Sequence, residues 1–397
     1  MTEKLTDEAY ARAALTYLAE PADRWLGRLL RLHGAAATLD AIKADCLPGE
    51  HATKPAAHGA MKAAMERWQV RLSGLPAPEE VLAFRESGIR VITPDDPEWP
   101  GQLADLGDDQ PYALWLRGNA DLRFSCLRSL AVVGSRAATA YGSYVAAEFA
   151  ASLASRGLAV VSGGAFGVDA AAHRGALGAD GVTVAVLACG VDVPYPTAHA
   201  ELFDAITAEG VLASEWPPGQ HVSRLRFLVR NRVIAALATG TLVVEAAQRS
   251  GALNTARHAR DLHRRLMAVP GPVTSDLSAG CHQVIREWQG TLVTSAAEVI
   301  EHLSPVGVPL IAEAGTGTGA GAGPSGRRAA PAVLPRDLLD LESARVLDAM
   351  PRRGGMGTVR VAQRAGLAPA TTAAILGQLA TGGFIERCDE GWRLRHS

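Results

Sequence analysis

The sequence predicts an α/β protein whose largest part is a doubly wound, mostly parallel sheet with helices on both faces. Two observations predict it. From residue 130 to about residue 303, apolar runs alternate with segments of helical periodicity, which is the order of elements in such a sheet. The apolar runs are continuous rather than alternating, as in strands that are covered on both faces. The predicted strands span residues 130–133, 159–161, 183–187, 211–214, 241–245, 266–269 and 291–293, and the predicted helices span residues 142–156, 168–177, 198–208 and 254–262.

The segment before this sheet divides into a helical part and a short extended part. Residues 24–32 carry apolar residues at helical spacing and are followed by the stop signal His33-Gly34, and residues 61–72 repeat the amphipathic pattern. Residues 89–93 and 113–117 are strand-like, and three prolines lie in the loop between them. We therefore expect a small helical bundle followed by two short strands.

The segment after the sheet indicates a linker and a small separate module. Half of the residues from 315 to 326 are glycine, which is typical of a flexible linker. Beyond it, residues 341–350, 359–365 and 370–381 have helical patterns, and residues 384–387 and 392–395 are extended. Three helices followed by a hairpin predict a winged helix.

Composition and charge exclude several classes of protein. The 397 residues carry 39 Lys and Arg against 41 Asp and Glu, so attraction to a polyanion must come from local clusters of arginine. The five cysteines form no CxxC pair, so we expect neither a disulfide framework nor a bound metal. The first ten residues do not resemble a signal peptide, and no apolar run approaches the ~20 residues of a membrane span. We expect a cytoplasmic protein with no membrane partner.

The first candidate binding motif is Gly134-Ser135-Arg136, directly after the predicted strand 130–133. Backbone amides at such a turn, together with the start of the following helix, favour an anion, and Arg136 adds a permanent positive charge. The glycine pattern of dinucleotide-binding proteins is absent because the next glycine is Gly142. A nicotinamide cofactor is therefore not expected. The alternative is that Arg136 forms a structural salt bridge.

A second glycine-rich turn follows the next strand and contains Gly163, Gly164 and Phe166. Glycines allow backbone amides to approach a phosphate closely, although a tight turn that needs glycine only for packing is the alternative. Asp169 and His173 are four residues apart on the helix that follows. They could form an acid–base pair, but we favour a cap and an orienting hydrogen bond.

The third motif is an arginine cluster without a single acid. Arg224, Arg226, Arg230 and Arg232 lie within nine residues, and Phe227 lies among them. Cations for phosphates and an aromatic ring for bases are what a single-stranded nucleic acid requires. The alternative is a solvated helix face with one core phenylalanine.

Further polar residues follow the next two strands. Ser250 is placed to cap a helix, Thr255 could donate to a phosphate, and residues 270–272 and 278–282 resemble a pair of loops near the same edge of the sheet.

Eight motifs in this order resemble the DNA-processing protein A (DprA/Smf) family. They are VVGSR, SGGAFGVDAAAH, the Tyr195-Pro196 pair, SEWPPG, FLVRNRVIA, VVEAAQRSGALNTA, VPGPV and GCHQVI, preceded by ITPDDPEWPGQL and LWLRGN. The resemblance implies an extended Rossmann-like fold that forms a homodimer and binds single-stranded DNA. It also implies that the protein protects incoming DNA and loads the RecA recombinase on it during natural transformation.

The resemblance also implies the domain boundaries and the binding residues. It predicts a helical (SAM-like or helix-hairpin-helix) domain over residues 1–87 and a Rossmann-like DNA-binding domain over 88–304. A Gly-rich linker over 305–335 and a winged-helix domain over 336–397 would follow. No catalytic residue, cofactor or metal is implied. The implied DNA-binding residues are Gly134, Ser135, Arg136, Gly163, Gly164, Phe166, Arg224, Phe227, Arg230, Asn231 and Arg232.

Two other functions remain open at this point. Rossmann-like phosphoribohydrolases of nucleotides carry Arg and Glu beside a PGGxGT turn, which residues 239–241 and Glu245 loosely resemble, although the PGG is missing. A regulator could instead bind duplex DNA through the winged helix. The helix that would bind the duplex, over residues 369–382, has no charged residue, so we expect this module to contact protein or to bind DNA weakly.

Overall fold

The computed structural model describes residues 5–46 and 55–304, and in the C-terminal region residues 343, 346–347, 349–351, 355–381, 384–388 and 391–394. The chain forms two compact units, residues 1–312 and residues 313–397. The predicted linker lies outside the described residues. The division into four domains stays a prediction. Among the described helices, none combines the length and the apolar character needed to cross a bilayer.

The first unit begins with a helical layer. Its helices are α1 (Asp7–Leu18), α2 (Arg24–His33), α3 (Ala35–Lys43), α4 (Pro55–Gln69) and the short α5 (Pro78–Ala83). The apolar faces of α1 to α4 meet in a common core that includes Leu15, Leu26 and Trp68. Asp23 caps α2 by accepting hydrogen bonds from the backbone N–H groups of residues 25 and 26. The amphipathic pattern of α2 was therefore predicted correctly.

A nine-stranded sheet forms the centre of this unit. The strands are β1 (Ile89–Ile92), β2 (Leu114–Gly118), β3 (Ser129–Val133), β4 (Ala159–Ser162), β5 (Thr183–Val186), β6 (Val211–Ser214), β7 (Gly240–Val243), β8 (Arg265–Ala268) and β9 (Thr291–Leu292). Their order is β1-β2-β6-β5-β4-β3-β7-β8-β9. In this order, the last seven strands, which begin with β6 and end with β9, are parallel to one another. Next to β6, β2 is antiparallel to β6, and β1 is antiparallel to β2. The prediction of a mostly parallel sheet is confirmed.

Helices cover both faces of the sheet, which explains the continuous apolar runs. The remaining helices of the unit are α6 (Leu122–Leu127), α7 (Ala140–Ala154), α8 (Val168–Leu177), α9 (Ala200–Glu209), α10 (Arg224–Leu237), α11 (Gly251–Asp261), α12 (Ala279–Glu287) and α13 (Ala296–Leu303). Leu130 and Val132 of β3 pack in a core with α7, α8 and α13. Ala131 and Val133 pack on the opposite face with α10, α11 and α12.

One predicted loop is wrong. Residues 278–282 resemble a loop in sequence, but residues 279–282 form the first turn of α12. The N–H of Gly280 donates to the carbonyl of Ala246 at 2.7 Å. A side chain at Gly280 would collide with that carbonyl. The glycine therefore serves a close approach between α12 and the segment after β7 rather than a turn, and the sequence alone does not distinguish these two uses.

In the second unit the structure describes helices α14 (Thr358–Ala365) and α15 (Pro369–Thr381) and the antiparallel strands β10 (Ile385–Cys388) and β11 (Gly391–Leu394). Val361, Leu376 and Ile385 lie in its core. These elements agree with the predicted helices and hairpin. The predicted helix over residues 341–350 falls partly outside the described residues, and the assignment as a winged helix stays a prediction.

Candidate functional site

A cleft of about 480 Å³ opens where β3, β4 and β7 end, at the carboxyl edge of the parallel strands. Ligands of open α/β sheets bind at this edge because the loops that leave neighbouring strands converge there. The first turns of α10 and α11 form its other walls. The residues that line it are Val133, Gly134, Ser135, Arg136, Ala165, Asp169, Arg224, Phe227, Leu228, Arg230, Asn231, Ile234, Ala247, Arg249, Ser250, Gly251, Ala252 and Thr255.

The turn after β3 is held from both sides by backbone hydrogen bonds. The N–H of Ser135 donates to the carbonyl of Glu245 at 2.8 Å, and the carbonyl of Ser135 accepts from the N–H of Val168 at 3.1 Å. Gly134 must lack a side chain because a Cβ there would press into Val168. The turn is therefore rigid, and it presents the Arg136 side chain at the mouth of the cleft.

Arg136 lies over the ring of Phe227, which in turn packs against Tyr195. Its guanidinium carbon lies 4.6 Å from the ring centroid of Phe227, within the range of a cation–π contact. The ring of Tyr195 lies 5.8 Å from that of Phe227 and is 44% exposed. Among the described residues no carboxylate forms an ion pair with Arg136. The structural salt bridge is therefore not supported, and the N–H groups of Arg136 are available to an anion.

Two more exposed arginines line the cleft. Arg224 is in the first turn of α10, and Arg249 is in the loop between β7 and α11. Neither forms an ion pair within the described part of the chain. The sequence motifs did not single out Arg249, because it lies outside the arginine cluster and has no aromatic residue beside it. Ser250 caps α11 by accepting from the N–H of Leu253, as predicted.

Arg230 lies beneath the cleft rather than at its surface. It is only 3% exposed, and its Nη1 donates to the carbonyls of Gly163, at 2.8 Å, and Val186. A Cβ at Gly163 would collide with the guanidinium. Burial lowers the pKa of Arg230 to about 10, with the positive charge of Arg136 contributing to the depression. An anion in the cleft would therefore be attracted by both charges.

Asp169 and His173 do not form an acid–base pair. Asp169 accepts hydrogen bonds from the N–H groups of Gly163, at 3.2 Å, and Ala165, at 3.4 Å, and burial raises its pKa. The Nδ1 of His173 lies 2.7 Å from the hydroxyl of Thr183, and burial lowers the pKa of His173 to about 3. Asp169 therefore orders the glycine turn, and His173 is a neutral residue of the interior.

Two arginines of the cluster are used in ion pairs within the protein. Arg226 donates to Glu20 at 2.8 Å and stacks on Trp216 at 5.5 Å, which connects α10 to the end of α1. Arg232 is 3% exposed and forms a buried, two-pronged ion pair with Glu215. The structure therefore does not bring Arg226 and Arg232 into the cleft with Arg224, and the role of Arg232 in DNA binding stays a prediction.

The remaining predicted residues are distributed between the cleft and its supports. Asn231 lines the cleft and donates to the carbonyl of Gly251 at 3.2 Å. Gly163 and Gly164 are buried beneath it. Phe166 is 48% exposed and packs edge-on against His199 with ring centroids 4.6 Å apart. Phe166 does not line the cleft itself.

Glu245 occupies the place that a phosphate takes in dinucleotide-binding sheets. Its carboxylate accepts from the backbone N–H of Thr139, at 2.9 Å, and from the Thr139 hydroxyl, at 2.6 Å, at the start of α7. A side chain at Gly142 would collide with this carboxylate. The N-terminus of α7, the position that binds phosphates in such folds, therefore already holds an anion.

Comparison with known proteins finds relatives along almost the whole chain. The family model described as DNA recombination-mediator protein A matches residues 90–304. A protein of Mycobacterium tuberculosis described as "Putative DNA processing protein DprA" is 40% identical over 396 residues, covering 97% of this chain and 94% of that protein. The "Protein Smf" of Escherichia coli is 40% identical over 227 residues, covering 57% of this chain and 60% of that protein.

A solved structure shows the same fold. The X-ray structure of DNA processing protein A from Streptococcus pneumoniae aligns with a TM-score of 0.59 and 31% sequence identity, covering 75% of this chain and 98% of that chain.

Proposed function

This chain belongs to the DNA recombination-mediator protein A family, as the order of its motifs predicts, and from that premise we propose that its cleft binds single-stranded DNA. One observation carries the proposal. Arg136 lies over the ring of Phe227, with Tyr195 beside it, at the mouth of a cleft that also contains Arg224 and Arg249. Cations that contact phosphates and rings on which bases stack are the two elements of single-strand binding.

We propose binding without catalysis. Among the described residues that line the cleft, Asp169 alone carries a carboxylate, and it accepts hydrogen bonds from Gly163 and Ala165. Glu245, the carboxylate of the phosphoribohydrolase hypothesis, is 5% exposed and bonded to Thr139. Incubation with nucleoside monophosphates should therefore release no free base, and efficient release would favour the enzyme.

The family description supports a further step. A recombination mediator acts on a recombinase. We therefore propose that the protein protects incoming single-stranded DNA and loads RecA on it during transformation. We also propose that it does so as a homodimer in the cytoplasm. Light scattering at increasing protein concentration tests the dimer. The ATP hydrolysis rate of RecA on coated single strands, with and without this protein, tests the loading.

Replacement of one arginine tests the binding proposal. We expect Arg136→Ala to weaken binding of a labelled oligo-dT about tenfold or more, because hydrogen bonds to charged groups contribute about 1.5–3 kcal/mol. Arg156→Ala is the matched control, since Arg156 is exposed just after α7 and its side chain bonds only to Ser152 among the described residues. Anisotropy titrations at two salt concentrations measure both variants. Equal DNA binding by Arg136→Ala and Arg156→Ala would show that the cleft is not the DNA-binding site.

A further inference from the structure

A second cleft lies beside the first at the same edge of the sheet. It has a volume of about 430 Å³ and is lined by Thr139, Tyr141, Glu245, Pro270, Gly271, Pro272 and Ser275. Thr139 is three residues from Arg136, and Glu245 is two residues from Ala247. Arg136 and Ala247 both line the first cleft. Because each residue spans at most about 3.6 Å, the backbones of Arg136 and Thr139 are at most about 11 Å apart. A strand that leaves the first cleft can reach the second within a few nucleotides.

Much of the lining of the second cleft is apolar. The ring of Tyr141 forms part of this lining and is 44% exposed. The Tyr141 hydroxyl donates to the carbonyl of Pro270 at 2.8 Å, which fixes the ring opposite the segment that carries Pro270 and Pro272. An aromatic ring that is held in place and half exposed in a cleft can stack on a planar ring, and such stacking accepts any base.

The lining of the cleft also includes the carboxylate of Glu245, which accepts hydrogen bonds. The Glu245 carboxylate uses two of its acceptor positions on the backbone N–H and the hydroxyl of Thr139. A carboxylate has about four such positions, so it can accept another N–H group. A carboxylate accepts hydrogen bonds and donates none.

We propose that the second cleft binds one base of the strand that occupies the first cleft, and that Glu245 selects a base with an exocyclic amino group over thymine. Cytosine presents an amino group, which a carboxylate accepts, whereas thymine presents a carbonyl oxygen at the same position. The carbonyl oxygen of thymine would therefore face the carboxylate of Glu245, and two acceptors cannot form a hydrogen bond with each other. The inference rests on the proposed binding of single-stranded DNA and adds a second subsite and a preference among bases to it.

Affinities for two pyrimidine homopolymers test the inference. We expect the wild-type protein to bind oligo-dC about tenfold more tightly than oligo-dT of equal length, the order of discrimination that a hydrogen-bonded base supplies. Tyr141→Ala should weaken oligo-dC binding about tenfold through lost stacking and abolish most of the preference. Tyr144→Ala is the control. Tyr144 lies one turn further along α7, is 68% exposed and does not line the cleft.

Two further measurements separate stacking on the Tyr141 ring from an indirect effect of the loop or of dimerisation. Tyr141→Phe keeps the ring and loses the hydrogen bond to Pro270, so we expect it to retain the preference for oligo-dC. If Tyr141→Phe loses as much affinity as Tyr141→Ala, the position of the loop matters rather than the ring, and the proposal is overturned. Equal wild-type affinity for the two homopolymers also overturns it. A shift of Tyr141→Ala toward monomer, with the base preference unchanged, would assign the cleft to a second copy of the chain.

Arg136→Ala distinguishes failure of this inference from failure of the proposed function. If Arg136→Ala binds both homopolymers as well as the wild type does, the first cleft is not a DNA site and the proposed function fails. If Arg136→Ala loses affinity for both while Tyr141→Ala loses affinity for neither, only the second subsite fails. Thermal unfolding of each variant checks that the fold is retained.

Discussion

Helix α10 divides into an exposed half, residues 224–229, and a buried half, residues 230–237, which carry the same kind of residue and use it in opposite ways. In the exposed half, Arg224 is exposed in the cleft and Phe227 supports the guanidinium of Arg136. In the buried half, Arg230 bonds to the glycine turn and Arg232 pairs with Glu215. The position of an arginine relative to the sheet, rather than its presence in a cluster, therefore decides whether it can contact a ligand.

Burying arginines in one half of α10 costs free energy, whereas the arginine in the exposed half has no such cost. A guanidinium removed from water is stable only when its hydrogen bonds and its charge are compensated. Arg232 meets both conditions through Glu215, the carbonyl of Asp109 and the carbonyl of Val229. Arg230 meets the first through two backbone carbonyls and the second through its electrostatic interaction with Asp169. The following predictions test whether the two halves are as different as this contrast implies.

Loss of the buried ion pair should have the largest effect. We expect Arg232→Ala to lower the free energy of unfolding by about 3–5 kcal/mol, because it leaves Glu215 as a buried charge without its partner. Urea unfolding measures this change. The folded fraction should bind oligo-dT as the wild type does. A stable Arg232→Ala variant with weakened DNA binding would show that Arg232 belongs to the cleft after all.

The second largest effect is expected from acid, which should lower the free energy of unfolding. Burial lowers the folded-state pKa of His173 to about 3, whereas the unfolded pKa is near 6.5. Below pH 6.5 the unfolded chain therefore binds a proton that the folded chain does not, and stability falls as the pH decreases toward 3. Between pH 6.5 and pH 5 the loss should be about 2 kcal/mol.

Urea unfolding of wild type and His173→Asn at the two pH values measures that loss. Since asparagine does not titrate, the variant should show the smaller dependence on pH. Identical pH dependence in both proteins would mean that His173 is not the residue responsible.

Removal of the aromatic support should have an intermediate effect that is confined to binding. We expect Phe227→Ala to weaken oligo-dT binding about tenfold, because base stacking contributes about 1–3 kcal/mol and because Arg136 loses the ring that positions it. Phe227 is half-buried, so thermal unfolding should change less than it does in Arg232→Ala. Anisotropy titration measures the affinity, and a large loss of stability without a loss of affinity would place Phe227 with the buried half.

The smallest effect is expected at the exposed end of α10. Arg224→Ala should leave stability within about 0.5 kcal/mol of wild type and weaken DNA binding a few-fold. If Arg224 contacts one phosphate, the dependence of the logarithm of affinity on the logarithm of salt concentration should decrease by about 0.7. Titrations at several salt concentrations measure the slope. An unchanged slope would mean that Arg224 does not contact the strand.

Much of the fold could be predicted from the sequence. Strand β6 and helix α8 have the predicted bounds, and the other strands of the parallel sheet differ from the prediction by one or two residues at their ends. These elements were predictable because burial on both faces leaves a continuous apolar signature in the chain. The start of α12 was not, since Gly280 serves a long-range approach to Ala246 that no local pattern encodes.

The candidate site was predictable only in part. Gly134, Ser135 and Arg136 follow a strand directly, so their place at the edge of the sheet could be inferred from the order of elements. The contact between Arg136 and Phe227 joins residues 91 positions apart in the sequence (227 minus 136) and could not. The second cleft likewise combines Tyr141, Glu245 and Pro270 from three segments that are distant in the sequence.

The sequence by itself determined the family, the alternation of strands and helices, and the edge of the sheet at which binding residues collect. Those properties follow from local periodicity and from short motifs, which act within a few residues. Only the tertiary structure decided which arginines are free to meet a ligand, because the partners of Arg226 and Arg232 are Glu20 and Glu215, on distant segments of the chain. Charge in a sequence specifies that a partner is needed, and the fold determines whether that partner is another part of the protein or a ligand.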